Sequence, residues 1–414
     1  MRHRLAAFLT VTALSASAFA AANWPTWRGP NRDDISPEKG LLKEWPAEGP
    51  KMVWMFDKAG IGYSGYSVVG DRLYTMGGRD NLEQLICVDT TKGAEVWKAD
   101  IGGVLTNNWG DGPRGTPAVD GDMVYALGGQ GTLIAASTKD GKIAWQKSLT
   151  KDLGGGTPGW GYTESVLVDG DKVLCTPGGK KGAVAALDKK TGDVKWQSSE
   201  FTDGAQYASI IAIEHGGKRQ YVQLTMKTLV GLDAETGKVI WKSSWPGATA
   251  VIPTPIFKDG HVFVSSGYGV GCKLVKLGDG GATDVYSNKN MTNHHGGVIL
   301  VGDHLYGYSD GKGWVCQDFK TGDIVWNEKS KLGKGAVAYA DGMLYCLDEG
   351  SGTVALIEAS PKGWNEKGRF KLSPQTKLRK PSGRVWTHPV ITDGRLYLRD
   401  QELVYCFDVK DKRN

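Results

Sequence analysis

Residues Ala183 to Trp196 read AVAALDKKTGDVKW. An apolar run ends at Asp188, Thr191-Gly192 supplies a tight turn, and a second short run is anchored by Trp196. Short apolar runs bounded by such turn residues are strand signals, and a turn this short can only join its strands antiparallel. The phrase recurs around Asp89, Gly93 and Trp97, around Asp140, Gly141 and Trp145, around Asp233, Gly237 and Trp241, and around Asp318, Gly322 and Trp326. Recurrence at roughly 45–50 residues marks an array of similar supersecondary units.

Working outward from each phrase gives the unit. Thr116 to Val119 runs into the turn Asp120-Gly121-Asp122. Then follow Met123 to Leu127, a glycine turn, Leu133 to Ala136, the turn at Asp140-Gly141, and Ile143 to Trp145. This is a four-stranded antiparallel meander, repeated over Val166 to Trp196, Ile210 to Trp241 and Val298 to Trp326. From Trp54 the gaps to Trp97, Trp145, Trp196 and Trp241 are 43, 48, 51 and 45 residues. Trp241 to Trp326 is a double gap with Tyr286 at its middle slot, and Phe370 fills the slot after Trp326.

Beyond Phe370 the chain supplies three strands, within Trp386–Ile391, Leu396–Arg399 and Leu403–Asp408, but no fourth. Lys51 to Phe56 carries Trp54 without preceding strands. The two ends therefore pair to complete the last unit. Eight anchors and a closing strand predict an all-β, eight-bladed β-propeller of four-stranded antiparallel blades over residues 51–414.

Residues 1–20 have the composition of a signal peptide: Arg2 and Arg4, an apolar run from Leu5 to Leu14, and Ala18-Phe19-Ala20. Their removal lowers the formal net charge from +5 to +3, too little to argue for a nucleic-acid surface. No later apolar run reaches the roughly 18 residues of a membrane span, and no cysteine precedes Cys87 to accept a lipid. The expectation is an exported, soluble, periplasmic or extracellular monomer. Residues 21–50 are rich in Trp, Pro and Gly without periodicity, and read as an extended arm on the propeller's surface. The six cysteines are permitted to form disulfides, but their strand positions suit buried small apolar residues.

The pattern in Ala186 to Trp196 resembles the tryptophan-docking repeat of the pyrroloquinoline-quinone (PQQ) type propellers, over essentially Lys51 to Val409. Two kinds of relative share that repeat. Quinoprotein alcohol dehydrogenases hold PQQ with calcium near the axis, whereas BamB is a non-enzymatic scaffold. The chain has no adjacent cysteines to match the dehydrogenases' vicinal disulfide, and their catalytic aspartate and calcium ligands match no position here. It also lacks the lipid-accepting cysteine of BamB.

In a meander, the first-to-second and third-to-fourth turns share one face of the ring. The starts of the inner strands share the other, and they carry Tyr66, Arg114, Trp160, Glu164, Tyr207, His294, His295, Lys334, Trp386 and His388. Ring closure gathers these into a polar, aromatic-walled funnel suited to a small ligand. Imidazoles serve as ligands, bases or hydrogen-bond partners, and strand alternation lets at most one of His294 and His295 face the axis. Arg114 could clamp a carboxylate or phosphate, pair with Glu164, or bond loop carbonyls. Trp160 and Trp386 offer faces for a quinone or sugar, or pack internally. The glycine runs 154–156 and 267–271 precede strands, not the helix start a phosphate loop needs.

The resulting expectation is a binding or scaffold module with its ligand in the funnel, and with protein partners elsewhere. The alternatives are a PQQ-dependent oxidoreductase with PQQ and calcium, and a binder of cell-envelope carbohydrate.

Overall fold

A computed structural model describes residues 23–279 and 281–412; the signal-peptide reading lies outside them. Among the described residues the chain forms eight four-stranded antiparallel blades of a propeller, the seventh extended by one short parallel strand, with no helix. The first blade is Ser67–Val69, Arg72–Arg79, Leu82–Asp89 and Ala94–Gly103, running outward from the axis, and the next six blades repeat that order. The eighth takes Val390–Thr392, Arg395–Asp400 and Leu403–Asp408 from the C-terminal region and its outer strand, Lys51–Phe56, from the N-terminal one. That pairing, Lys51 opposite Asp408 and Phe56 opposite Val404, closes the ring as the strand count requires.

The core is distributed. Eight apolar clusters each join two neighbouring blades, such as Tyr74 and Leu85 against Val124 and Ile134 in the first two blades, or Val173 and Leu187 against Tyr125 and Leu133 in the second and third. The two middle strands of a blade are covered on both faces and read as continuous apolar runs, Leu133-Ile134-Ala135-Ala136 for example. The outer strands alternate or face water, and there the repeat aromatics act. Trp54, Trp97, Trp145 and Trp196 each reach across to the next blade and donate Nε1–H to the carbonyls of Thr90, Thr138, Lys189 and Ala234, at 2.7–3.2 Å.

Each ring lies on the turn glycine of that next blade, Gly93, Gly141, Gly192 or Gly237, all with φ near +70°. A Cβ on Gly192 would stand 2.8 Å from the Trp145 ring. The turn aspartate accepts the backbone N–H groups that follow it; Asp188 takes those of Lys190 and Thr191. Tyr286 repeats the contact with its hydroxyl on the Phe319 carbonyl, 3.0 Å away. Trp241 departs from it: the fifth blade has no Thr-Gly turn to receive the ring, and Nε1–H goes to Gln220 Oε1 of its own blade. All six cysteines are free and buried.

Residues 23–36 do not lie on the outside. Asn23 meets the first blade at Gly70, on the turn face, and Trp24 pairs with Val68. The segment then enters the axis, where Arg28, Arg32 and Asp34 are almost wholly buried. Arg28 binds Asp34 at 2.9 Å and the Val298 carbonyl at 2.5 Å, while Arg32 donates to the carbonyls of Ser165 and Val166. Ile35–Ser36 returns parallel to the inner strand Gly335–Ala340 of the seventh blade, and Glu38 receives the N–H groups of Asp393 and Gly394 back on the turn face. The arm is thus a loop thrust up the central channel. Inner-strand starts carry carbonyls with no neighbouring strand to serve them, and the two guanidiniums satisfy these across the ring.

Candidate functional site

The tip of that loop makes the floor of a cavity of about 320 Å³ on the face opposite the Thr-Gly turns. Seven of the eight inner-strand starts contribute to its wall. Of the ten residues expected there, Arg114, Trp160, Tyr207, His294, His295, Trp386 and His388 line it. Three do not. Tyr66 abuts the strand Ser67–Val69, and its ring is drawn between the eighth and first blades beside Tyr397; Tyr63, three residues earlier, takes the place at the mouth. Glu164 is buried one layer out, accepting from Thr176 N and Oγ1. Lys334 stands behind His294, donating to its Nδ1 at 2.9 Å and to Asp310 at 2.7 Å.

Both histidines of the pair face the cavity. They precede the strand Val298–Val301, so strand alternation does not govern them, and their rings lie 3.6 Å apart. Sequence reasoning also missed Trp27 and Arg28, which the arm delivers to the floor, and Trp109 and Tyr268, which stand on a blade connection and a second-to-third-strand turn. The only signal for the last two was an aromatic in a glycine-rich turn. The aromatic lining interlocks: Tyr63 packs on Trp386 at 4.8 Å and donates its hydroxyl to the Trp109 carbonyl, Trp160 meets Tyr207 edge-on, and Trp27 meets His388 at 4.6 Å.

Burial, with the nearby cations Lys334 and Arg114, pushes His295 down to about 3, and burial with the neighbouring His295 and Lys334 pushes His294 down to about 2. Both rings are neutral hydrogen-bonding walls at ordinary pH. Burial raises Glu164 and Glu349 to about 7. His388 is set between Asp34, 3.1 Å from Nδ1, and the His295 carbonyl, 2.9 Å from Nε2. Arg114 bonds the Gly110 carbonyl at 2.7 Å, so of its open alternatives the loop carbonyl is the one realised; its guanidinium lies over the Tyr63 ring at 5.0 Å.

Among the described residues, no group of three or more His, Cys, Asp or Glu side chains could hold a metal ion. PQQ is a planar tricarboxylate, and the cavity wall offers one guanidinium, Arg114, not already committed to a carboxylate; Arg28 is held by Asp34. The aromatic faces would suit a planar ring, but the donor set does not fit PQQ with calcium. No helix among the described residues is long and apolar enough to cross a membrane.

Comparison with known proteins fits this architecture. A 137-residue stretch is 32% identical to a polyvinylalcohol dehydrogenase of Pseudomonas sp., covering 32% of this chain and 20% of that enzyme, so the chain spans only a fraction of that relative. The crystal structure of BamB from Moraxella catarrhalis superposes with TM-score 0.63 at 16% identity, over 87% of this chain and 97% of that one. Quinohemoprotein alcohol dehydrogenase from Comamonas testosteroni also gives 0.63, at 12% identity over 95% and 82%. At such identities the two structures speak for the fold alone. The family model described as outer membrane protein assembly factor BamB matches residues 51–146 and 82–328, more than half of the chain, and the chain therefore belongs to this family of PQQ-like β-propellers.

Proposed function

We propose that this protein is a binding module, not a redox enzyme, and that its axial funnel takes a polyhydroxylated ligand such as a saccharide. One observation carries the reading: Trp27, Trp109, Trp160 and Trp386 converge with three tyrosines on one cavity, whose lining between them includes Thr163, Ser165, Ser209, Thr254 and Thr387. Aromatic faces cover the apolar faces of a sugar ring while short hydroxyls and neutral imidazoles exchange hydrogen bonds with its rim. The floor formed by the arm closes the channel and makes the cavity a pocket. The name of the Pseudomonas relative, a dehydrogenase of a polyhydroxylated polymer, is compatible with such a ligand.

The test is an array of neutral and acidic saccharides probed with the purified protein and with Trp160→Ala and Trp386→Ala. Binding that weakens at least tenfold in either variant supports the reading. An array without signal, or binding indifferent to both changes, sinks it, as does calcium-dependent PQQ binding with alcohol-driven dye reduction.

A further inference from the structure

We propose that the funnel is selective for acidic saccharides, with Arg114 receiving a sugar carboxylate and the loop from Lys377 to Arg384 carrying the continuing chain across the mouth. The proposal rests on the saccharide reading above and goes further by assigning a charge to the ligand and a partner to that charge.

The first observation is a cation without a counter-ion. Arg114 is partly buried in the funnel wall and one terminal nitrogen bonds the Gly110 carbonyl, while among the described residues Nε is buried with no partner and no ion pair engages the group. The carboxylates nearest to it in charge coupling are occupied elsewhere. Glu83 accepts the N–H groups of Leu105 and Gly129, and Asp111 is bound by Lys380 at 2.7 Å. An isolated buried charge is costly, whereas a guanidinium fork meeting a carboxylate makes short, charge-assisted bonds. The Tyr63 ring beneath the guanidinium fixes its plane for that encounter.

The remaining groups around the cavity leave that charge standing. Lys334 is balanced by Asp310, Arg28 by Asp34, and His294 and His295 are neutral. Glu349 lies behind His295, 3.7 Å from its Nδ1, and does not line the cavity. One unbalanced cation matches one monoanionic carboxylate, while a phosphate dianion would ask for more donors than Arg114 alone presents.

The second observation is at the rim. The segment Lys377-Leu378-Arg379-Lys380-Pro381-Ser382-Gly383-Arg384 passes beside the mouth, with a Cβ on Gly383 falling 2.7 Å from the Tyr63 hydroxyl. Arg379 and Lys380 are tied to Asp400 and Asp111. Lys377 and Arg384 are exposed and, among the described residues, in no ion pair, next to an exposed Leu378 and the half-exposed Trp109. A chain whose terminal ring fills the funnel would run over this basic, partly apolar lip, and exposed charges of this kind act through salt-sensitive attraction.

The test compares trigalacturonate with galactotriose, which carries a hydroxymethyl group where the former carries a carboxylate, by calorimetry and tryptophan fluorescence. Trigalacturonate is expected to bind at least tenfold more tightly. Arg114→Gln should abolish most of that preference by weakening trigalacturonate far more than galactotriose, and Arg384→Gln should weaken trigalacturonate severalfold in low salt only. The Arg384 change lies on an exposed loop, so it keeps the test alive should Arg114→Gln fail to fold. Equal affinity for the two sugars, or a preference that survives Arg114→Gln, overturns this inference and leaves the saccharide reading in place. No response to either sugar overturns this inference, while the saccharide reading is decided by the array.

Discussion

At the residue scale the telling groups are buried and titratable. His294 and His295, held at about 2 and 3, bind no proton in the folded state until well below their usual 6.5, whereas the unfolded chain protonates them there. They therefore add stability above pH 6.5 and withdraw it as the pH falls toward 3. Glu164 and Glu349 act in the opposite sense. Their folded values near 7 exceed the usual 4.5, so the native state holds their protons longer, and stability is lost as the pH rises through 7.

Between pH 4.5 and 6.5 the two pairs offset each other, and stability should form a plateau with losses on either side. Urea unfolding at pH 3.5, 5.5 and 7.5 checks this. Glu349→Gln should remove part of the loss between 5.5 and 7.5, and an unchanged loss would contradict the placement of that carboxyl. None of this was legible in sequence. Glu349 follows a strand as an ordinary turn residue, and the neutrality of the histidine pair depends on which blades surround it.

At the scale of the element, the repeat was legible because its parts are local. Asp188, Gly192 and Trp196 lie within one hairpin, and the turn chemistry that binds them is written in adjacent residues. The sequence could not say that Trp54, Trp97, Trp145 and Trp196 each serve the following blade. The reason for the glycine is consequently not the turn alone but the ring of the preceding blade lying on it.

Two substitutions separate these causes. Gly170, at φ +60°, has nothing within 4 Å of a Cβ, so Gly170→Ala should cost about 1 kcal/mol of backbone strain. Gly192→Ala adds the collision with Trp145 and should cost about 2–4 kcal/mol. Equal losses in urea unfolding would show that the docked ring contributes nothing. Tyr286 and Trp241 bracket the rule: one keeps the contact with a different ring, and the other keeps the ring and gives up the contact for want of a turn.

At the scale of the whole molecule, the strand count at the two ends was enough to close the ring, whereas the course of the arm was not readable. The segment Trp24 to Asp34 has no periodicity, and its partners stand as far away as Val298 and His388. A pair of arginines and a buried aspartate in a turn-rich stretch is a signal only once a channel lined with unserved carbonyls is known to exist. With the arm in place the molecule has two different ends. Thr-Gly turns and docked rings hold blade to blade on one, and a floored, aromatic funnel opens on the other.

A ligand of the funnel must choose the second. Protein labelled with 5-fluorotryptophan, its resonances assigned by single Trp→Phe changes, can be titrated with trigalacturonate and followed by fluorine NMR. The resonances of Trp27, Trp109, Trp160 and Trp386 are predicted to move while those of Trp97, Trp145 and Trp196 stay fixed; movement of the docked tryptophans with a silent funnel would contradict it.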